Sequence, residues 1–201
     1  MIKQEILLLG AGGHTRACID VIENTKQYSV VGLVINEENR NQRILDYPVI
    51  GSDADLCALR KSYSLGLVGV GQIKSSVQRE RLYYLLSKHR FDLPVIVSPL
   101  AYVSAHATLG SGTIVMHGAQ VSAGAHIGVN CIINSRALIE HDAIVYNHCH
   151  ISTAAVLNGG VVVGEGSFVG SNATIRDGVR IGDRSLVGMG EVVTADFRVE
   201  K

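Results

Sequence analysis

An imidazole followed at once by a carboxylate, His141-Asp142, is the pair in this sequence best equipped for proton transfer. A carboxylate beside an imidazole favours the protonated ring and raises its basicity. From an ordinary pKa near ~6.5, such a histidine is suited to taking a proton from an amine or hydroxyl. The pair lies in Ile139-Glu140-His141-Asp142-Ala143, shortly after Asn134-Ser135-Arg136-Ala137, and His150-Ile151-Ser152 follows. His106, His117, His126 and His148 fall in the same half of the chain. A second candidate is the turn Gly10-Ala11-Gly12-Gly13-His14, where backbone N–H groups at a helix start could approach a phosphate. Its pattern Gly10-x-Gly12-x-x-Thr15 departs from the dinucleotide fingerprint at the third glycine, and a plain strand-to-helix turn accounts for it equally. Asn36 and Glu37 follow another apolar run, placed either to hold a ribose hydroxyl or base edge or to form a polar loop. Gly71 closes a further apolar run, as a site of close ligand approach or as a turn.

These residues must be positioned by two different kinds of element. From Val103 to Val193, every sixth residue is Val, Leu or Ile, sixteen in register without a slip. Small residues run four positions behind: Ala107, Thr113, Ala119, Ala125, Cys131, Ala137, Ala143, Cys149 and Ala155. Neither a helix nor a flat strand has this period, whereas a parallel β-helix does, with three hexapeptides to a coil and roughly five coils here. The aliphatic register points inward and the small register fits the corners, so the histidines of this half are expected to point outward or into grooves between subunits. Cys131 and Cys149, eighteen apart, then stack on successive coils at one corner. They read as small corner residues rather than as a disulfide or, in Cys149, a nucleophile.

Before the repeat the chain alternates differently. Apolar runs at Glu5–Gly10, Ser29–Ile35, Tyr47–Gly51 and Leu65–Gly71 read as strands. Helical spacing predicts helices over Thr15–Asn24, from Ser52 as N-cap, and from Ser75/Ser76 through Arg90, the last with Val77, Leu82, Leu85 and Leu86 on its apolar side. Phe91–Pro99 reads as a linker. Alternating strands and helices predict a parallel sheet with helices on both faces, with ligands beyond the carboxyl ends of the strands.

The chain has 201 residues, 47% of them hydrophobic, and 18 basic against 18 acidic residues. That is ample for packed cores and gives nucleic-acid binding little electrostatic support. The N-terminus lacks a signal-type apolar stretch and no apolar run approaches the ~20 residues of a membrane span, so a cytoplasmic protein without membrane insertion is expected. The four cysteines, Cys18, Cys57, Cys131 and Cys149, have no metal-type spacing, and no metal is expected.

The block Asn134–Ser152 (NSRALIEHDAIVYNHCHIS), together with LLGAGGH near the N-terminus, resembles the sialic acid O-acetyltransferase and nucleotide-amino-sugar N-acetyltransferase family. The resemblance covers nearly the whole chain. It implies an α/β Rossmann-like N-terminal domain (1–98), binding a nucleotide sugar, followed by an all-β left-handed parallel β-helix (99–201). It further implies direct transfer from acetyl-CoA to an amino sugar for bacterial surface glycans, in a homotrimer with active sites between two β-helices. The family's general base corresponds to His141, its tuning acid to Asp142, an asparagine of the site to Asn134, and a histidine touching CoA or the thioester carbonyl to His150. Contacts to CoA correspond to Gly159, Ser171 and Met189. The nucleotide-sugar contacts correspond to the glycine turn (Gly10, Gly12, Gly13, His14), to Asn36 and Glu37, and to Gly71. Where sugar-nucleotide members often carry an acidic pair, this chain has Asn36-Glu37. Many members carry a Gly-x-Pro-Ala type tail after the last coil; here the sequence reads Val199-Glu200-Lys201, so that tail's contribution to the CoA groove is expected to be missing or replaced.

Three other readings compete. O-acetylation of a sialic-acid-type sugar would use the same histidine on a harder nucleophile. A β-helix carbonic anhydrase needs a zinc-binding histidine spacing that the chain lacks. A nucleotide-binding scaffold without turnover would not need His141, Asp142, Asn134 and His150 together.

Overall fold

The computed structural model describes residues 3–36 and 43–197. The chain divides into two compact units. One holds residues up to Gly71 and Gln78–Pro94, and the other holds Gln72–Val77 and the chain from Val95 onward.

In the first unit, β1 (Gln4–Leu9), α1 (Gly13–Thr25), β2 (Tyr28–Val34), β3 (Arg43–Ile44), β4 (Tyr47–Gly51), α2 (Leu56–Leu59), β5 (Leu65–Val68) and α3 (Val77–Lys88) follow in order. The sheet order is β3-β4-β2-β1-β5. All pairings are parallel except β3 with β4. β1 is a continuous apolar run because both of its faces are covered, and Ile6, Leu7 and Leu8 have no exposed surface. Three expectations need correction. The helix predicted from Ser52 is a 3-10 turn over Asp53–Asp55 followed by the single turn of α2, with Ser52 at its N-cap. Val77 is exposed rather than on the apolar side of α3, and the buried position near the start of that helix is Arg79. A guanidinium takes it because the carbonyls of Val68 and Val70 accept from its Nη1, satisfying groups that would otherwise be buried without a partner. The third concerns the linker, in which Ile96–Val97 is already β6, paired with Ile114–Val115.

The second unit is a left-handed β-helix. Two-residue strands from β6 to β22 (Val192–Val193) form three parallel ladders of six, five and six strands among the described residues. Neighbouring strands within a ladder lie eighteen residues apart, as His150 pairs with Phe168. The aliphatic register fills the interior: Val115, Val121, Ile133, Ile139, Val145, Ile151, Leu157, Val163, Val169 and Val187 are at most 1% exposed. The small register is buried beside it, with Ala119, Ala125, Cys131, Ala137, Ala143, Cys149 and Ala155 at 0%.

Candidate active site

In the first unit, a cavity of about 270 Å³ opens at the carboxyl ends of β1, β2 and β5. Gly10, Gly12 and Asn36 line it, as the sequence indicates, with Ala11, Asp53 and Gln78 also on its wall. Gly10 is obligatory here: its φ is +125°, and a Cβ would come within 2.8 Å of Val70 Cγ2. The departure at the third glycine of the fingerprint has a local reason, since buried Thr15 donates its hydroxyl to the Gly69 carbonyl at 3.0 Å. α1 begins at Gly13 with Gly12 as N-cap, no side-chain cap and no acidic residue in its first turn. That leaves a helix N-terminus favourable to an anion. His14 and Gly71 meet beside the turn, where a Cβ on Gly71 would lie 3.3 Å from His14 Cβ. Glu37 lies outside the described residues. Asp53 comes to this wall from the turn after Ser52, and no sequence motif marks it as a cavity residue.

In the second unit the predicted residues fall at two corners of the β-helix, except His150, which lies on the strand His150–Ile151. The corner after β13 (Leu138–Ile139) carries His141 and Asp142. Asp142 Oδ2 lies 2.9 Å from His141 Nδ1. The carboxylate can only accept, so Nδ1 carries the hydrogen and Nε2 keeps its lone pair toward solvent. The hydrogen bond to Asp142 is the foremost cause raising the His141 pKa above its ordinary value, with the charges of Asp142, Glu140 and Asp177 adding to it. Gly159 lies directly above, eighteen residues on: a Cβ there would stand 2.6 Å from His141 Nε2. Gly124 lies below, where a Cβ would stand 2.3 Å from Asp142 Oδ1. Two glycines on neighbouring coils therefore make the slots in which imidazole and carboxylate rest.

The corner after β12 (Ile132–Ile133) carries Asn134, with Ser171 and Met189 on later coils of the same corner. Asn134 Nδ2 lies 3.0 Å from His150 Nε2, and Asn134 Oδ1 accepts the Ser135 N–H at 2.8 Å. Ser171 shares a hydroxyl–hydroxyl hydrogen bond of 3.0 Å with Ser152, and Met189 is 83% exposed. Here the expectation that the histidines point outward fails for two of them. His148 is 1% exposed, bonded through Nδ1 to Asn130 Nδ2 at 2.9 Å. His150 is 7% exposed, edge-on to Phe168, with Nδ1 2.7 Å from the Gln72 carbonyl oxygen. A segment far away in sequence covers that face, which the hexapeptide rule alone does not foresee.

Cys131 and Cys149 are free and buried. Their Sγ atoms donate to the carbonyls of Tyr146 and Gly164, at 3.1 and 3.0 Å. Burial holds the Cys149 thiol well above its usual range, which disfavours the thiolate that a nucleophile needs. Among the described residues no cluster of His, Cys, Asp and Glu side chains is arranged to hold a metal ion, and no helix is long and apolar enough to cross a membrane.

Comparisons with known proteins agree with this fold. The family model of the PglD N-terminal domain matches residues 5–83, and that of the hexapeptide repeat of succinyl-transferase matches residues 160–195. Among solved structures, the chain is similar to a variant of perosamine N-acetyltransferase from Caulobacter crescentus in complex with CoA and GDP-perosamine. The two are 32% identical, over 98% of this chain and 91% of that one, with a TM-score of 0.91. The acetyltransferase domain of PglB from Neisseria gonorrhoeae, in complex with acetyl coenzyme A, is 28% identical over 98% of this chain and 94% of that one, with a TM-score of 0.89. WeeI from Acinetobacter baumannii shares the fold at 18% identity, over 98% of this chain and 94% of its own, with a TM-score of 0.80. No curated protein sequence matches the chain at a significant level.

Proposed function

Because the chain belongs to the nucleotide-amino-sugar acetyltransferase family and is an acetyl-CoA-dependent sugar acetyltransferase, we propose that it N-acetylates a nucleotide-linked amino sugar for bacterial surface glycan synthesis, with His141 as general base. The observation that carries this reading is the 2.9 Å contact between His141 Nδ1 and Asp142 Oδ2, which leaves Nε2 as the proton acceptor. As the acceptor nitrogen bonds to the thioester carbon, Nε2 receives the proton that nitrogen loses. The C–S bond then breaks, and the proton passes to the departing sulfur. Transfer is direct, with no acyl group on the protein. Asn134 and His150 serve the thioester end of the site, and Gly159, Ser171 and Met189 line the path of CoA. The cavity at Gly10, Gly12 and Asn36 takes the nucleotide, with its phosphates at the start of α1 beside Gly13 and His14. The first unit thus selects the acceptor and the second, residues 72–77 included, acetylates it. The complex of a 32% identical relative with GDP-perosamine supports a sugar nucleotide as acceptor, and that relative's activity favours an amine over a hydroxyl.

The same reading includes a homotrimer working in the cytoplasm, where acetyl-CoA is supplied. Two observations support the assembly. The side chains of His141 and Asp142 are 65% and 73% exposed, too open for a site that must exclude water. Asn134 and His141 also stand at different corners, so a second β-helix laid along one corner would bring the two halves together.

The test is to incubate the protein with acetyl-CoA and a panel of nucleotide-linked amino sugars and free sialic acids, following CoA release. Release with an amino-sugar nucleotide is expected, and His141→Ala should lower kcat by about 10²–10⁴. No release with any acceptor, or a fully active His141→Ala, would overturn the reading. Release with sialic acids alone would move it to O-acetylation.

A further inference from the structure

His150 is held from both sides, and the two contacts together fix its tautomer. On one side lies the Gln72 main-chain carbonyl, 2.7 Å from Nδ1. A carbonyl only accepts, so Nδ1 bears the hydrogen. On the other side lies Asn134 Nδ2, 3.0 Å from Nε2. The Asn134 carboxamide cannot be reversed, because its oxygen accepts the Ser135 N–H at 2.8 Å. Nε2 therefore accepts, and the ring is the neutral Nδ1–H form. A histidine so held has no N–H to give to a thioester oxygen. What the cluster can offer is the second Nδ2–H of Asn134, aimed by the bond of the first to His150.

The Gln72 carbonyl is itself held in place. Gln72 is 4% exposed, and its Nε2 donates to the carbonyls of Gly166 and Ser167 at 3.1 and 3.3 Å. Further along the same segment, Ser76 Oγ accepts from Arg184 Nη1 at 3.2 Å. Residues 72–77 are thus fastened to the β-helix at two points.

We propose that Gln72 is a positioning residue for acetyl transfer: its carbonyl locks His150 as the Nδ1–H tautomer, so that His150 aims Asn134 at the oxyanion instead of donating to the thioester. The proposal rests on the acetyl-transfer reading above and reassigns the role of His150 within it. The donor for the developing oxyanion is then Asn134 Nδ2–H.

The tautomer is directly observable. Long-range ¹H–¹⁵N correlation spectra of the uniformly ¹⁵N-labelled enzyme, with the His150 signals assigned by their loss in His150→Gln, should show a protonated Nδ1 and a pyridine-type Nε2. A protonated Nε2 in the parent enzyme would overturn the proposal, and this arm needs neither an acceptor sugar nor a Gln72 variant. In Gln72→Glu a carboxylate would face the carbonyls of Gly166 and Ser167, and the segment should shift. The Nδ1–H pattern should be lost, kcat should fall on the order of tenfold, and KM for acetyl-CoA should stay within about twofold. Adding Asn134→Ala to Gln72→Glu should lower kcat little beyond Asn134→Ala alone. Losses that multiply, or a raised KM for acetyl-CoA with kcat intact, would return His150 to direct contact with CoA. Gln72→Ala serves the same kinetic comparison should Gln72→Glu fail to fold. If no acceptor is acetylated at all, the acetyl-transfer reading fails while the spectrum still decides the tautomer.

Discussion

Asp142 reaches the His141 ring because its own backbone is left-handed, with φ +59°, and because Gly124 leaves room for the carboxylate. This conformation is open to Asn as well, so Asp142→Asn removes the charge without the strain another residue would bring. The consequence for pH follows from the direction of the shift. The hydrogen bond to Asp142 raises the His141 pKa, and only the neutral ring is a base, so kcat should climb as pH rises through that raised value. In Asp142→Asn the pKa falls back toward the ordinary imidazole range. The acidic limb of the kcat–pH profile should move to lower pH, and the plateau should drop by roughly tenfold as basicity is lost. A limb that stays in place would show that Asp142 does not tune the base. At this scale the sequence was partly readable. Adjacent residues at a tight corner had little choice but to meet, so His141-Asp142 stood out. The partners of His150 did not, because Gln72 lies 78 residues away and no spacing rule joins them.

The two-residue strand is the unit that makes the β-helix readable, since one inward aliphatic per hexapeptide survives in sequence as an unbroken period. Its start was harder to see. Val97 continues the register one step before Val103 and packs on the same core, but with Pro94 and Pro99 around it a single strand shows no period of its own. Glycines on the corners also read alike in sequence yet do different work. A Cβ on Gly170 would stand 2.5 Å from Met189 N and 2.6 Å from Gly188 C, and backbone of the next coil cannot give way. A Cβ on Gly159 would meet the tip of His141, which can swing. Gly170→Ala should therefore cost about 1–3 kcal/mol of stability in a denaturant titration. Gly159→Ala should leave the midpoint nearly unchanged but lower kcat, since Nε2 is pushed from its place. If Gly159→Ala unfolds as early as Gly170→Ala, the slot is structural rather than catalytic in purpose.

Across the whole molecule the two units keep their thiols differently placed. Burial pushes the Cys18 thiol up to about 12 and Cys149 well above its usual range, Cys131 is wholly buried, and Cys57 alone is exposed. Intact-mass measurement after iodoacetamide treatment of the native protein should find one label, on Cys57, and four after denaturation; a second label on the native protein would contradict this burial. The broad plan, an α/β unit followed by a β-helix, was written in two incompatible periodicities and could be read from them. The membership of residues 72–77 could not, since a short polar stretch between a strand and a helix carries no pattern saying which core it joins. That membership bears on how such enzymes can be recombined. A chimera joined at Val95, grafting a different sugar-recognition module onto this β-helix, would inherit every hexapeptide and His141, the proposed base. It would leave behind the carbonyl that sets the proton on His150. A hybrid meant to acetylate a new sugar should therefore carry this chain's own residues 72–77 within the transplanted module.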